Sequence, residues 1–345
     1  MKEELTTQGL AISDEDQQEA IEATSGIVVP DEGASDKDAE EFANKIIRRA
    51  ASLRAVKIDR GVFLRTELKR RCPEADIDFA IETTPAEAGV PAETIDEMAR
   101  AAIDFEVRKC AGLSFLSGIP GGAALAATVP ADLAQYFAHV MRVEQKLAYV
   151  YGWQTFLNDD DEVDDETVMQ LIVLMGVMLG VGGAASSISK FAANVAQPGV
   201  VNTIQRQALT KTTFYPIMQK VLRLVGVKLT KQTFAKTVGK VVPVIGGAVS
   251  GGLTYASFKP GAERLRQYLR ALPTSGVSDV SEVHDAEFGL DDAVEKAQEA
   301  VGSIGHSAQN AASAVAERTA PARTAMVEGA GKAGSAALNA AKAAG

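Results

Sequence analysis

Carboxylates are missing from a long central part of this sequence. From Thr167 to Ala262, 96 residues, there is no Asp or Glu. The same stretch holds ten basic residues: Lys190, Arg206, Lys211, Lys220, Arg223, Lys228, Lys231, Lys236, Lys240 and Lys259. The formal charge of −10 over 345 residues hides this division, because the rest of the chain sets 25 basic against 45 acidic residues. Overall acidity argues against nucleic acid as the partner of the whole chain. A block of +10 still calls for an anionic partner, such as a lipid surface or an acidic protein face.

Aromatic residues are scarce as well, at 6%. The apolar fraction is an ordinary 46%, but much of it is Ala, with Gly interspersed. Small side chains bury little area each, so helices built from them must approach closely to gain packing energy. Cysteine is reduced to Cys72 and Cys110, and the first twenty residues lack the basic-then-apolar pattern of a cleaved signal. Both observations predict a cytoplasmic setting. Walker, GxSxG, HExxH and CxxC patterns are absent. The three histidines, His139, His284 and His306, are scattered. No catalytic residue, metal or cofactor is therefore predicted. One polar stripe, Asp132 with His139 and Arg142, keeps a hydrolase-like or ligand-binding alternative open.

What is present is organised around Ser114–Trp153. This stretch begins uncharged and glycine-rich, passes through Pro130-Ala131-Asp132, and ends in Tyr-Gly-Trp. Four segments are expected: an acidic disordered tail (1–38), a helical core (39–272), a linker (273–290) and an Ala-rich low-complexity tail (291–345). Within the core, helices are predicted over Asp36–Arg54, from Asp59 to Pro73, over Ile77–Glu82 and over Pro91–Lys109. Another is predicted over Asp132–Tyr151. There Leu133, Phe137, Val140, Met141, Leu147, Ala148 and Tyr151 form an apolar stripe, and Asp132 occupies the first turn, where a carboxylate meets the helix dipole. The acidic run Asn158–Glu166 lacks the glycine and alternation of a calcium loop and reads as a solvated connection.

Three uncharged runs stand out: Ala111–Ala131, Thr167–Ser189 and Val241–Phe258. The second has the length of a membrane span and a Gly176-xxx-Gly180 spacing; a fully buried core helix is the alternative reading. Gly180-x-Gly182-x-x-Ala185 within it is not a dinucleotide fingerprint, since no acid follows until Glu263. The basic segment is read as two amphipathic helices, Ile217–Val225 and one from Thr230, interrupted by Gly226. Lys220, Arg223, Lys228, Lys231, Lys236 and Lys240 are its candidates for holding anionic lipid headgroups. If the chain enters a membrane, the distribution of Lys and Arg favours a two-pass hairpin with both ends inside and the third run buried or interfacial.

The ordered pieces SGIPGG, TVPADLAQ, QKLAYVYGW, GVMLG and KVVPVIGGAVSGGLTY resemble the EcsC protein family, over roughly residues 39–272. The most specific elements are Pro130, Ala131 and Asp132, then Tyr151 and Gly152, then Pro243, Gly246 and Gly247. This resemblance implies an all-α, glycine- and alanine-rich, membrane-associated bacterial protein with inserted or buried helical hairpins. By association it implies a place beside a membrane transport system. It carries no catalytic residues, because no reaction is established for the family.

Overall fold

The computed structural model describes residues 14–31, 33–117, 125–153, 165–195, 214–238 and 243–277. Among these there are ten α-helices and no strand. They are α1 (Asp14–Ala23), α2 (Asp36–Ser52), α3 (Arg60–Arg71), α4 (Ile77–Glu82), α5 (Ala92–Ser117) and α6 (Leu125–Val150). The remainder are α7 (Asp165–Met178), α8 (Ala184–Val195), α9 (Tyr215–Val238) and α10 (Pro243–Ala271). The expected 291–345 tail and most of the expected linker lie outside the described residues.

Local signals explain most helix starts. Ser35 accepts from the Asp38 backbone while Asp38 reaches back to the Ser35 backbone, a complete capping box for α2. Asp59 and Asp76 cap α3 and α4 in the simpler one-way manner. Pro91 supplies the first carbonyl of α5, accepting from the Ile95 backbone at 3.0 Å, so it precedes the helix rather than opening it. The 3/4 spacing of Phe42, Ala43, Ile46, Ile47, Ala50 and Ala51 turns one face of α2 into the core.

α6 is the hub. It packs against α1, α2, α3, α5, α7, α9 and α10, and nearly every residue from Val140 to Tyr151 is buried. Two other pairings are extensive: α5 with α10, and α2 with α9.

Four expectations change on contact with this architecture. The helix predicted to begin near Asp132 begins at Leu125 and runs through Pro130. Pro130 falls in the second turn, where its missing N–H forfeits one bond to an early carbonyl. Asp132 is consequently not a first-turn residue and has no dipole-capping role. Second, Thr167–Ser189 is not one helix. α7 stops at Met178, Gly180 and Gly183 take φ of 70° and 89°, and α8 starts at Ala184. Such a left-handed turn needs glycine, and it leaves helices of 14 and 12 residues, each too short for a bilayer. Gly176 belongs to α7, where an added Cβ would lie 2.8 Å from Val221; Gly180 belongs to the turn, so the two are not one helix-pairing face. The buried-core reading fits the first half of this run only: α7 from Thr167 to Met178 is buried apart from the half-buried Met169 and Gln170, whereas Gly180, Gly182, Gly183, Ser186 and Ser189 are exposed.

Third, Gly226 does not interrupt the basic segment. α9 is continuous through it, and a Cβ there would sit 2.2 Å from the Ala39 carbonyl oxygen. Glycine is present so that α9 can cross α2 at backbone contact, which is worth more than the roughly 1 kcal/mol of lost helix propensity. Fourth, the first uncharged run is divided between the end of α5 and the start of α6, with 118–124 outside the described residues. No helix among the described residues is long and apolar enough to cross a membrane.

Candidate functional site

Two buried polar clusters and one exposed basic face contain the chemistry of the described residues. The first cluster lies between α5 and α6. Glu106, wholly buried, sits at 3/4 spacing among Ala102, Ile103, Val107 and Cys110 on the apolar face of α5. Its Oε2 is 2.7 Å from His139 Nδ1, and its Oε1 accepts from Arg142 Nε at 3.1 Å and Lys146 Nζ at 2.5 Å. Arg142 also donates to the Ala55 carbonyl. The Lys146 ammonium lies 4.8 Å from the Phe105 ring centre and 5.9 Å from that of Phe63. Burial alone would raise the Glu106 carboxyl, but the His139 hydrogen bond and the Lys146 and Arg142 charges outweigh it and hold the group well below the usual carboxylate range. Burial lowers the Lys146 ammonium, with Glu106 pulling it back.

The predicted stripe is therefore partly assembled. His139 and Arg142 do meet, at Glu106. Asp132 lies seven residues earlier, about 10.5 Å along the helix axis, too far for a direct bond to His139. A carboxylate that accepts from three donors is poorly suited to take a proton, and His139 has one ring nitrogen committed to it. The cluster is built to hold α5 against α6.

The second cluster explains the Tyr151-Gly152 pair. Tyr151, fully buried, donates to Asp96 Oδ1 at 2.9 Å. Asp96 also accepts from Arg266 Nη1 at 3.3 Å and Arg270 Nε at 3.0 Å, while Arg266 Nη2 reaches Glu263 at 2.6 Å. The end of α6 is thereby tied to α5 and α10. Gly152 follows with φ of 86°. A Cβ there would lie 2.6 Å from the Thr274 carbonyl oxygen and 3.0 Å from the Thr84 side chain. It is a helix-ending glycine over which two other segments pass. Next to it, Arg60 is buried and donates to the Trp153, Ile81 and Thr83 carbonyls, satisfying backbone acceptors at the ends of α6 and α4.

The remaining motif residues sort more simply. Pro130 and Ala131 are buried and Asp132 half-buried on α6. Pro243 opens α10, a position that suits its fixed φ. Gly246 and Gly247 lie in its first turns, and their surroundings fall outside the described residues.

The exposed face belongs to α9. Val221, Leu222, Val225 and Leu229 are buried, whereas Lys220 and Arg223 are exposed and Lys228 is half-buried. Arg223 has a carboxylate within reach, Glu40 of α2, at 3.8 Å. Lys231 and Lys236 continue the same helix, though their side chains lie outside the described residues, as does Lys240. One cation of the acid-free block is neutralised internally: Lys259 donates to Asp104 of α5 at 2.9 Å.

Neither thiol is reactive in this setting, since burial pushes both Cys72 and Cys110 up. Among the described residues no three His, Cys, Asp or Glu side chains converge as a metal site would require. An open groove of about 1140 Å³ between the 25–34 connection and α2 is lined by Ile27, Asp38, Phe42, Lys45 and Arg49, of which only Phe42 is buried.

Sequence reasoning overlooked Glu106, Glu144, Asp96, Arg60 and Arg266. Glu106 and Glu144 had a legible signal: each is a carboxylate placed on the apolar stripe of its helix. Arg60 had none, because its partners are backbone carbonyls; Arg266 had only its i,i+3 spacing from Glu263, which gives no hint of Asp96, 170 positions away. No family model, curated protein or solved structure matches this chain.

Proposed function

We propose that the chain is a non-enzymatic helical protein that docks on an anionic membrane surface through the basic face of α9. The observation that carries this reading is the exposure of Lys220 and Arg223 opposite a buried apolar face, in a stretch of sequence without a single carboxylate. An ordinary solvated helix mixes both signs along its length; α9 carries one sign, with Glu40 of α2 the carboxylate beside Arg223, and a helix of one sign favours a counter-charged surface. The EcsC-like motif set supports the same reading and adds, by association alone, a transport system as neighbour. Surface docking is preferred to insertion, because the strongest candidate span is two short helices in the core.

Neutralising Lys220, Arg223, Lys231 and Lys236 together tests it. At about 1 kcal/mol per cation near an anionic leaflet, the variant is expected to lose roughly a thousandfold in affinity for phosphatidylglycerol-containing vesicles. Wild-type binding should weaken with salt and be absent on neutral phosphatidylcholine vesicles. Equal binding by variant and wild type would overturn the role of this face. Membranes washed with high salt and then with alkaline carbonate supply a second check: release by salt is expected, and retention through both washes would mean insertion instead.

A further inference from the structure

Glu144 is the buried group that no contact described so far uses. α6 places it between Val140 and Met141, one turn before, and Leu147 and Ala148, one turn after, all of them buried. The residue has no exposure, and among the described residues neither carboxyl oxygen has a hydrogen-bond partner. Among the described residues no charge answers it either. Besides Glu144, the buried charged residues of the described helices are Arg60, Glu106, Lys146 and Arg266. Arg60 is bound to carbonyls, Glu106 and Lys146 to each other, and Arg266 to Asp96 and Glu263. Among the described residues, α1, α2, α7 and α9 bring no buried charge to the core. The half-buried His139 and Arg142 face Glu106, and Asp96 pairs with Arg270.

A carboxylate in such a place would be stripped of water with no counter-charge, which costs far more than a lost hydrogen bond. The group holds a proton instead, and burial pushes it well above the usual carboxylate range. Even as the neutral acid it leaves a donor and an acceptor unmatched in a core that satisfies its other charged groups. That is a stability cost that any apolar residue of similar size would avoid.

We propose that Glu144 is a proton-operated latch: the packed bundle is the form with Glu144 protonated, and loss of that proton loosens α6. The acid gives one proton to water, and the carboxylate left behind regains hydration only when its stretch of α6 moves out of the core. Because α6 packs against seven other helices, this single ionisation is felt across the whole bundle. The inference does not rest on the lipid reading of α9.

The linkage sign follows from the raised folded-state value. The folded form binds the proton more tightly than the unfolded chain, whose glutamates titrate near about 4.3. Stability from this group is therefore fully present in acid and falls as pH rises above that value towards the folded one, by at most about tenfold in the folding constant per pH unit.

Denaturant unfolding of the full chain and of Glu144→Gln, followed from pH 5 to pH 7, tests the latch. The ratio of folding constants, variant over wild type, is expected to rise with pH across that interval, by at most about tenfold per pH unit. Parallel curves would overturn the proposal. Infrared spectroscopy supplies a readout that does not depend on the variant's stability. The carbonyl stretch of a protonated carboxylic acid is expected in the folded wild type at pH 6 and lost in Glu144→Gln and Glu144→Met. If the variants fold poorly, the wild-type band alone decides, and its absence would overturn the latch. Amide exchange in α6 should quicken, beyond its intrinsic pH dependence, between pH 5.5 and 7.5 in the wild type; a constant protection factor would also overturn the proposal.

Discussion

Glu106 on α5 and Glu144 on α6 are both wholly buried carboxyl groups in one continuous core. Around Glu106 the fold gathers an imidazole, a guanidinium and an ammonium, all three from successive turns of α6. Around Glu144, two positions before that same Lys146, it gathers no hydrogen-bond partner among the described residues. The difference is one of helix face. Residues 139, 142 and 146 lie along one side of α6, facing Glu106, while 144 falls on the stripe of 137, 140, 141, 147, 148 and 151 that enters the apolar core. Burial is thus the same for the two acids, and the supply of counter-charge decides which one ionises. The charge state of a buried acid is fixed by what the neighbouring helix presents, not by depth.

The largest expected effect comes from breaking the satisfied member. Glu106→Gln removes the carboxylate that the cluster shares and leaves the half-buried Arg142 and the buried Lys146 without it, which should cost about 3–5 kcal/mol in denaturant unfolding at pH 7. The pH dependence has a definite sign. Because the folded-state value of Glu106 is depressed, its contribution is fully present above the unfolded value of about 4.3 and is lost as pH falls below it. The wild type should therefore weaken steeply in acid, and Glu106→Gln should not show that slope. A loss under 1 kcal/mol would mean that the cluster is hydrated rather than part of the core.

Glu144→Gln is the second test, with the opposite sign. It keeps the size and neutrality of the protonated acid and removes the cost of protonating it, so stability is gained at pH 7, by at most about tenfold in the folding constant for each pH unit above about 4.3, and almost none is gained at pH 4.5. If both substitutions destabilised equally, the distinction between the two acids would collapse.

Packing rather than charge governs the third. Gly226→Ala puts a methyl within 2.2 Å of the Ala39 carbonyl oxygen, and backbone cannot yield as a side chain does. A loss of about 1–3 kcal/mol is expected, despite the higher helix propensity of alanine. A gain in stability would show that α2 and α9 do not meet at backbone contact.

These particulars bear on what was legible beforehand. The all-helical class and most helix positions follow from the 3/4 recurrence of apolar residues, as at Phe42, Ile46 and Ile47. The breaks did not follow. Gly226 and Gly180 are both glycines inside apolar, uncharged or basic runs. One is a close crossing in a continuous helix, set by the Ala39 backbone it meets, and the other a left-handed turn with φ of 70°, and neither the partner segment nor the backbone angle is written in the local sequence. The span-like run Thr167–Ser189 misled for the same reason: a helix buried on all sides by protein has the composition of one buried by lipid. Glu106 and Glu144 could have been found, as acids on apolar stripes, but their opposite fates required knowing which faces α5 and α6 turn towards each other.

The smallest effect sharpens the comparison most finely. Lys146→Met removes one of the three hydrogen-bonding partners of Glu106 and retains a flexible side chain of similar length. Glu106 keeps Arg142, which bonds it at 3.1 Å, and His139 at 2.7 Å, so the carboxylate is not stranded. The ammonium itself is desolvated at 9% exposure, and its removal relieves that cost while forfeiting the contact with Phe105. The terms nearly offset, and a loss of about 1 kcal/mol is expected. In the Glu106→Gln background the same substitution should reverse sign and stabilise, because there the ammonium has lost the carboxylate it bonds. A double-mutant cycle reads this coupling directly. If Lys146→Met cost as much as Glu106→Gln, the ammonium alone would be balancing the buried charge, and the cluster would be a single ion pair to which Arg142 and His139 are incidental.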